Sequence, residues 1–215
     1  CECPPNVHGV IALMLLNIMS GVDKYGDHPL SVDRIHHEIE AGRITYRDRN
    51  LYLADPDFSA VPVDQMLSAD YAAAIRAQID PEKAHSELPA TTLPPHKHTV
   101  YISVVDKDRN ACSFINTVFH SFGAGLMTPE SGIVLQCRGQ GFVVDPSHPN
   151  CIAPGKRPLH TIIPGMATKD GKTVMSFGVM GGEYQAFGHM QFLTRLLDYE
   201  MDIQEAQDCP RFFPD

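Results

Sequence analysis

The segment Thr99-Val100-Tyr101-Ile102-Ser103-Val104-Val105-Asp106 marks the point where the chain changes character. Its β-branched and aromatic residues are typical of a strand. The turn-forming residues 106–110 follow, and the apolar run 111–118 predicts an antiparallel partner strand. A Pro-rich run without apolar periodicity, 87–98, comes directly before it. We therefore expect a strand-rich second half that begins at Thr99.

The first half is predicted to be helical. The apolar run 10–19 predicts a buried helix that ends near Gly21. Ser31 is predicted to cap a second, long helix, and Ser68 a third, alanine-rich helix over 68–79. The predicted apolar face of the long helix consists of Ile35, Ile39, Ile44 and Tyr46.

The charged stretch Arg47-Asp48-Arg49, near the end of the long helix, has two interpretations. We expect an ordinary solvated helix end, and the alternative is a buried network of Asp and Arg side chains. The residues 55–58, Asp-Pro-Asp-Phe, are then typical of a turn. This turn is expected to follow the long helix.

The second half is predicted to alternate short strands and loops before it returns to helix. Short strands are predicted over 132–136 and 173–179. A helix with an apolar face is predicted over 184–197, and a last helical turn over 203–207. Helices followed by strands and then helices predict an α+β fold, with sheet packed against helical layers.

The composition excludes several classes of partner and suggests no cofactor. The 215 residues carry a formal net charge of −9, which speaks against nucleic acid and anionic membranes. The longest apolar run, 10–19, is too short to span a bilayer. The six cysteines show no C-x-x-C pair, so we expect mostly free thiols. His96 and His98 form an H-x-H without a third ligand at a credible spacing, so no metal site is expected.

Three groups of residues could carry chemistry, and each has a simpler structural interpretation. Thr99 opens a strand, as an ordinary strand residue does, but it could also be a nucleophile exposed by self-cleavage. Gly181-Gly182 could present backbone N–H groups to an oxyanion or carboxylate at a helix start, or form a tight turn. The segment 155–161 could hold an acidic substrate with Lys156 and Arg157, or simply carry surface charges.

Taken together, these segments resemble the gamma-glutamyltransferase family of N-terminal nucleophile hydrolases. The resemblance covers essentially the whole chain and is closest to the cephalosporin-acylase-like branch that lacks a long lid. The motifs that carry it are 50–58 with 61–63, Thr99–Asp106, 131–133, 135–139, 148–150, 154–159, 177–182 and 206–212, together with Pro4-Pro5-Asn6.

The resemblance implies a partial αββα sandwich from a larger protein. Residues 1–98 would be the mostly helical C-terminal part of the large subunit. Residues 99–215 would be the small, catalytic subunit without its C-terminal end. The chain begins at Cys1 and ends at Asp215, after an apolar pair, and we likewise expect a piece of a longer protein. The two subunits would stay associated after cleavage, and homo-oligomers are a further expectation.

The resemblance also implies roles for particular residues. Thr99 would attack the carbonyl of His98, break the chain there and become the catalytic nucleophile. Its freed α-amine, with an ordinary pKa of about 7.7–8.0, would act as general base. Thr117 would orient Thr99, and Gly181 and Gly182 would supply oxyanion N–H groups. His160 and Thr161 stand where the family holds the substrate carboxylate with two serines.

Several positions depart from the family pattern and affect the expected substrate. Gly141 stands where transferase members carry an Asp that pairs with the glutamyl amine, Phe119 replaces a polar residue, and Arg138 adds a cation that could bind substrate. The link 150–155 is too short for a lid, which favours water over an amine as acceptor. The expected function is hydrolysis or transfer of gamma-glutamyl amides such as glutathione through an acyl-Thr99 ester. The alternatives are a glutaryl-type acylase for amine-free acyl amides and an unprocessed, non-catalytic homologue.

Overall fold

A computed structural model describes residues 1–23, 26–86 and 99–214. The chain divides into two compact units, each assembled from separate segments. The first unit contains Cys1–Gly9, Leu53–Val61 and the described part of Leu93–Gln185. The second unit contains the described parts of Val10–Tyr52 and Pro62–Thr92, and the chain from Ala186 onward. Each unit therefore takes residues from both sides of the predicted cut at position 98/99.

The sequence patterns predicted five of the six α-helices in the described residues and missed only the short helix at 63–66. The helix bounds are α1 Gly9–Met19, α2 Val32–Tyr52, α3 Val63–Met66, α4 Ala69–Arg76, α5 Tyr184–Leu197 and α6 Ile203–Asp208. The hydroxyl of Ser31 accepts a hydrogen bond from the Arg34 N–H at 3.3 Å, and that of Ser68 accepts one from the Tyr71 N–H at 3.1 Å. The two predicted caps are confirmed, because each satisfies a donor that the first helical turn leaves open.

The buried face of α2 is more polar than predicted. Ile44 and Tyr46 are buried as expected, but Ile35 and Ile39 are only half-buried. Arg34 and Glu38 are buried instead, and the Arg34 Nε–Glu38 Oε1 distance is 2.9 Å. Pairing between i and i+4 lets a helix bury charge that periodicity would assign to solvent.

The solvated interpretation of Arg47-Asp48-Arg49 is wrong, and the buried-network alternative is correct. Asp48 is 2% exposed and accepts hydrogen bonds from the Tyr71 hydroxyl at 2.7 Å and from Arg47 Nε at 2.9 Å. Arg49 is fully buried, and burial lowers its pKa to about 10. The hydrogen bonds to Asp48 offset part of the cost of removing its carboxylate from water.

Two antiparallel hairpins form the strand part of the first unit. One pairs β1 (Val100–Val105) with β2 (Ala111–Asn116), and the other pairs β3 (Gly165–Lys169) with β4 (Lys172–Phe177). The strands predicted around Thr99 and at 173–179 are thereby confirmed. The strand predicted over 132–136 is wrong, since only an isolated bridge between Met127 and Val134 forms there.

Tyr101 connects the two hairpins. Its hydroxyl lies 3.0 Å from Ser113 Oγ on β2 and 2.8 Å from Ser176 Oγ on β4. A Cβ added at Gly178 would lie 2.4 Å from the Tyr101 ring, so the close approach requires glycine there. This contact fixes the chain just beyond β4, in the stretch that leads to Gly181.

The N-terminal segment runs beside the chain at 158–166. Val7 forms a parallel bridge with His160, the His160 N–H donates to the Asn6 carbonyl at 3.0 Å, and the Asn6 side-chain amide donates to the Pro158 carbonyl. The Met166 N–H donates to the Cys1 carbonyl at 3.1 Å. Segments from both sides of the predicted cut therefore share backbone pairing within the first unit.

Two further expectations concern the thiols and the membrane. All six cysteines lie in the described part of the chain and are free thiols, as predicted. Among the described helices, none is both long and apolar enough to cross a membrane.

Candidate active site

A pocket of about 550 Å³ lies within the first unit and contains three of the predicted site residues: Thr117, Arg138 and His160. Its full lining consists of Asn6, Val7, Thr117, Gln136, Arg138, Gly139, Phe142, Arg157, Pro158 and His160. Thr99, Thr161, Gly181 and Gly182 are not among these lining residues. The N-terminal segment contributes Asn6 and Val7, so its pairing with residues near 158–160 helps to build the wall.

Thr99 lies half-buried one residue before β1. In the hairpin register Val100 faces Asn116, and one further step places Thr99 opposite Thr117. The Thr117 hydroxyl accepts a hydrogen bond from the Phe119 N–H at 3.0 Å, which fixes that side chain at the pocket. The register thus agrees with the predicted pairing of the two threonines, whose catalytic roles stay predictions.

Arg138 is a buried cation at the pocket. Its residue is 5% exposed, and its guanidinium carbon lies 3.8 Å from the centre of the Phe119 ring. Nη1 donates to the Thr161 hydroxyl at 3.4 Å, whereas Nε is buried without a hydrogen-bond partner. Within residues 1–23, 26–86 and 99–214 no carboxylate forms an ion pair with Arg138.

Burial lowers the pKa of Arg138 to about 10, so the guanidinium stays protonated at neutral pH. A charge removed from water without a counter-ion is costly, and the approach of an anion relieves that cost. The ring of Phe119 stabilises the cation from one side by a cation–π contact. Arg138 is also a lining residue of the pocket, and a carboxylate is the usual partner of a guanidinium.

His160 is a neutral donor beside Arg138. Burial, and then the charge of Arg138, lower the pKa of His160 to about 3. Nδ1 accepts a hydrogen bond from the Ile162 N–H at 3.2 Å, so the proton of the neutral ring is carried by Nε2. Thr161 is 2% exposed, and its carbonyl accepts from His8 Nε2 at 2.8 Å, which holds this segment against the N-terminal one.

The depressed pKa of His160 predicts a specific dependence of stability on pH. In the unfolded chain the imidazole binds a proton near pH ~6.5, but in the folded chain only near pH 3. The unfolded state therefore binds more protons than the folded state between these two pH values. The contribution of His160 to the free energy of unfolding is fully present above pH ~6.5 and decreases as the pH falls toward 3. In urea unfolding of the full-length protein, the His160→Gln variant should lose stability less steeply than the wild type between pH 6.5 and 4. Equal slopes would contradict a neutral His160.

Gly181 and Gly182 form the turn from β4 into α5. Their φ angles are +137° and +57°, in the region that favours glycine. Their carbonyls accept from the N–H groups of Tyr184 and Gln185, at 3.2 and 3.1 Å. In the described chain no acceptor satisfies either glycine's own N–H. The turn interpretation is confirmed, and the oxyanion role of the two N–H groups stays a prediction.

Lys156 and Arg157 are already engaged, so they are not the free pair that could hold an acidic substrate. The Lys156 ammonium donates to the Pro149 carbonyl at 2.7 Å. Arg157 forms ion pairs with Asp55 and with Asp57, the latter at 2.9 Å. Arg157 lines the pocket with its charge compensated, whereas no carboxylate of the described residues compensates the charge of Arg138.

A larger residue at position 141 requires a shift of the neighbouring backbone. A Cβ at Gly141 would lie 2.8 Å from the Leu159 carbonyl oxygen. The buried Asn150 side chain links the same two residues, because Nδ2 donates to the Gly141 carbonyl at 2.6 Å and Oδ1 accepts from the Leu159 N–H at 3.0 Å. Sequence reasoning missed this role of Asn150, although the motif 148–150 contains it.

Within the described residues no group of three or more His, Cys, Asp or Glu side chains could hold a metal ion. His96 and His98 lie outside the described residues, and so does the peptide bond between His98 and Thr99.

The comparisons with known proteins agree with this architecture. The family model for gamma-glutamyltranspeptidase matches residues 1–215, and the chain belongs to that family. It is 40% identical to a glutathione hydrolase proenzyme of Pseudomonas sp. (strain A14), over 97% of this chain and 39% of the relative. It is 36% identical to a glutathione hydrolase-like proenzyme of Bacillus subtilis (strain 168), over 98% of this chain and 39% of the relative.

Among solved structures, a cephalosporin acylase from Bacillus halodurans superposes with a TM-score of 0.87 at 41% identity, over 98% of this chain and 38% of that one. The chain therefore spans about two fifths of the length of these relatives. The predicted resemblance to this family of N-terminal nucleophile hydrolases is confirmed, and so is the α+β class.

Proposed function

We propose that the full-length protein is a self-processing N-terminal threonine amidohydrolase for amides of carboxylate-bearing acyl groups. Processing breaks the chain between His98 and Thr99 and frees the α-amine of Thr99. Thr99 would then be the free N-terminal residue directly before β1, opposite Thr117 in the hairpin register. The buried guanidinium of Arg138 at the pocket carries the proposal, because no carboxylate of the described chain pairs with it and it calls for an anionic ligand.

The reaction follows from these positions. The α-amine of Thr99 takes the proton from its hydroxyl, and the oxygen attacks the substrate amide carbon. The N–H groups of Gly181 and Gly182 hold the resulting oxyanion. The ammonium returns its proton to the leaving amine, the C–N bond breaks and an acyl-Thr99 ester remains. Water, activated by the same α-amine, attacks the ester and releases the free acid and Thr99.

The acyl group is bound through its far carboxylate. Arg138 offers guanidinium N–H groups, and the neutral His160 offers its Nε2–H next to them. The hydroxyl of Thr161 already accepts from Arg138 and keeps the guanidinium in place. A bidentate Arg–carboxylate contact fixes both the position and the orientation of the acyl chain.

The pocket favours an acyl group without an amine. Of the described residues that line it, none is Asp or Glu. The α-ammonium of a gamma-glutamyl group would lie near Arg138 without a counter-charge. At position 141, an Asp would require movement of the Leu159 carbonyl. Glutaryl-type amides are therefore the preferred class, and gamma-glutamyl amides such as glutathione are the second.

Parallel kinetics on two anilides test this preference. We expect the processed protein to hydrolyse glutaryl p-nitroanilide with a kcat/KM at least about tenfold above that of gamma-glutamyl p-nitroanilide, which corresponds to about 1.4 kcal/mol. The Gly141→Asp variant should shift the ratio toward the gamma-glutamyl substrate. Gly141→Ala is the matched control, because it adds the same Cβ without the charge.

A strong preference of the wild type for the gamma-glutamyl substrate would overturn the amine-free assignment and favour a glutathione hydrolase. An unprocessed chain that hydrolyses neither substrate would instead favour the non-catalytic homologue.

A further inference from the structure

Asp55 lies on the side of the predicted cut opposite to Arg138 and His160, yet it contacts the wall of the same pocket. Its side chain is 1% exposed, and its carboxylate accepts from the Arg157 backbone N–H at 2.8 Å and from Arg157 Nε at 3.1 Å. Arg157 Nη2 bonds the second carboxylate oxygen. One carboxylate thus holds both the main chain and the side chain of Arg157.

Arg157 and the residues after it build one wall of the pocket. Arg157, Pro158 and His160 all line it, and Thr161 contacts Arg138. On the other side of this short segment, Asn6 binds the Pro158 carbonyl and the His160 N–H. The wall is therefore held at two points, by Asp55 at its start and by Asn6 further along.

We propose that Asp55 is a positioning residue for the substrate pocket: it fixes Arg157 and, through the chain that follows, the placement of His160 and Thr161. This inference rests on the proposed function only for its kinetic consequence. Processing at 98/99 would place Asp55 and Arg157 on separate polypeptides, and the pocket would then depend on a contact between the two pieces.

The electrostatics of Asp55 fit this role. Hydrogen bonding from the Arg157 side chain, above all, holds the pKa of Asp55 well below its usual range. Because the pKa of Asp55 is lower in the folded chain than in the unfolded chain, the stabilisation by its carboxylate is fully present above the unfolded pKa of about 3.9. It is lost only as the pH falls through the lower pKa of the folded chain. The Asp55–Arg157 contact therefore persists through the mildly acidic range.

Asp57 provides a matched control within the same turn. It also pairs with Arg157 Nη2, at 2.9 Å, but its side chain is 75% exposed and Asp55 is 1% exposed. Solvent-exposed pairs contribute little, because water and salt screen them. The two variants Asp55→Asn and Asp57→Asn remove the same charge from the same arginine at buried and exposed positions.

The first measurement is hydrogen–deuterium exchange of peptides covering 157–161 in the full-length Thr99→Ala protein, which needs no activity. Asp55→Asn should speed exchange of these peptides by about tenfold or more, because the Arg157 N–H loses a charged acceptor. Asp57→Asn should leave the rates within about twofold. Unchanged exchange in Asp55→Asn would overturn the inference whether or not the protein is an enzyme.

The second measurement separates positioning from a general loss of fold. In the processed protein, Asp55→Asn should raise KM for glutaryl p-nitroanilide by about tenfold with kcat within about twofold, since it disturbs the acyl-binding wall and not Thr99. Faster exchange with an unchanged KM would overturn the link to the pocket. Faster exchange in a protein without any hydrolytic activity would leave Asp55 in its positioning role and refute the proposed function.

Arg157→Lys is the second variant if Asp55→Asn fails to fold. The Arg157 side chain is 52% exposed, so the site tolerates substitution, and lysine keeps the charge but loses the bidentate contact. The expected changes in exchange and in KM have the same direction and a smaller size. Wild-type values for both quantities in Arg157→Lys would contradict the proposal.

Discussion

The Thr99→Ala variant of the full-length protein will remain one uncut chain and will lose hydrolytic activity by more than about a thousandfold. The physical reason is that both reactions use the same hydroxyl, first against the carbonyl of His98 and then against the substrate. Removal of a catalytic nucleophile typically costs several orders of magnitude in kcat. Intact mass after incubation, beside the wild type, measures the processing, and anilide hydrolysis measures the activity.

Thr99→Ser is the matched control, because it keeps a hydroxyl and removes only a methyl group. It should still be cut at 98/99, more slowly than wild type, and should retain measurable hydrolysis. Val100, the next residue, is 55% exposed and offers no hydroxyl, so Val100→Ala should be processed like the wild type.

The outcomes are distinct. Cleavage at 98/99 in Thr99→Ala would show that another group or a separate protease breaks the chain, and would contradict self-processing. An uncut chain in both wild type and variant would leave the family assignment in place and favour the non-catalytic homologue. Processing without hydrolysis would confine the role of Thr99 to maturation.

Local signals in the sequence predicted most of the elements correctly. The hydroxyls of Ser31 and Ser68 cap their helices through neighbours three residues away, so a short stretch contains the whole interaction. The β-branched run after Thr99 forms β1 for a similar reason, because its partner strand follows one turn later. The strand predicted over 132–136 is wrong because apolar composition alone does not provide a partner strand. Ile133 remains 60% exposed.

The polar interior of α2 could not be read from periodicity. Arg34 is buried because it pairs with Glu38 on its own helix and with Asp198, which is 164 residues away. A sequence pattern shows the first partner at most. The burial of the Arg34 charge therefore depends on a tertiary contact, which helix propensity and periodicity cannot predict.

The residues of the candidate site also fall into those that the sequence predicted and those that only the structure revealed. The resemblance supplied Thr117 and the position of His160, and a departure from the family pattern supplied Arg138. The structure places all three residues on one pocket. The resemblance gave no role to Asp55 or Asn150, because each acts through a contact that forms only in the folded chain. The clearer example is Asp55, whose partner Arg157 is 102 residues away. Asp is common in turns, so the sequence alone gave no reason to assign Asp55 a positioning role.

Arg138→Gln will lower kcat/KM for glutaryl p-nitroanilide by about 10- to 100-fold, the second large effect that we expect. The variant removes the charge that faces the acyl carboxylate, and hydrogen bonds to charged groups contribute about 1.5–3 kcal/mol. Glutamine retains a polar side chain of similar reach, so the buried site is not left with a large void. Initial rates over a range of substrate concentrations give the ratio.

A substrate control shows whether the lost interaction is with the carboxylate. Valeryl p-nitroanilide has the same five-carbon acyl chain and no carboxylate, and Arg138→Gln should change its kcat/KM by less than about threefold. Equal losses on both substrates would assign Arg138 to the structure of the pocket, where it stacks on Phe119 and bonds Thr161. A loss confined to the glutaryl substrate would instead assign it to recognition of the acyl carboxylate. Of these outcomes we expect the second, because the guanidinium is buried at the pocket and no carboxylate in the described chain pairs with it.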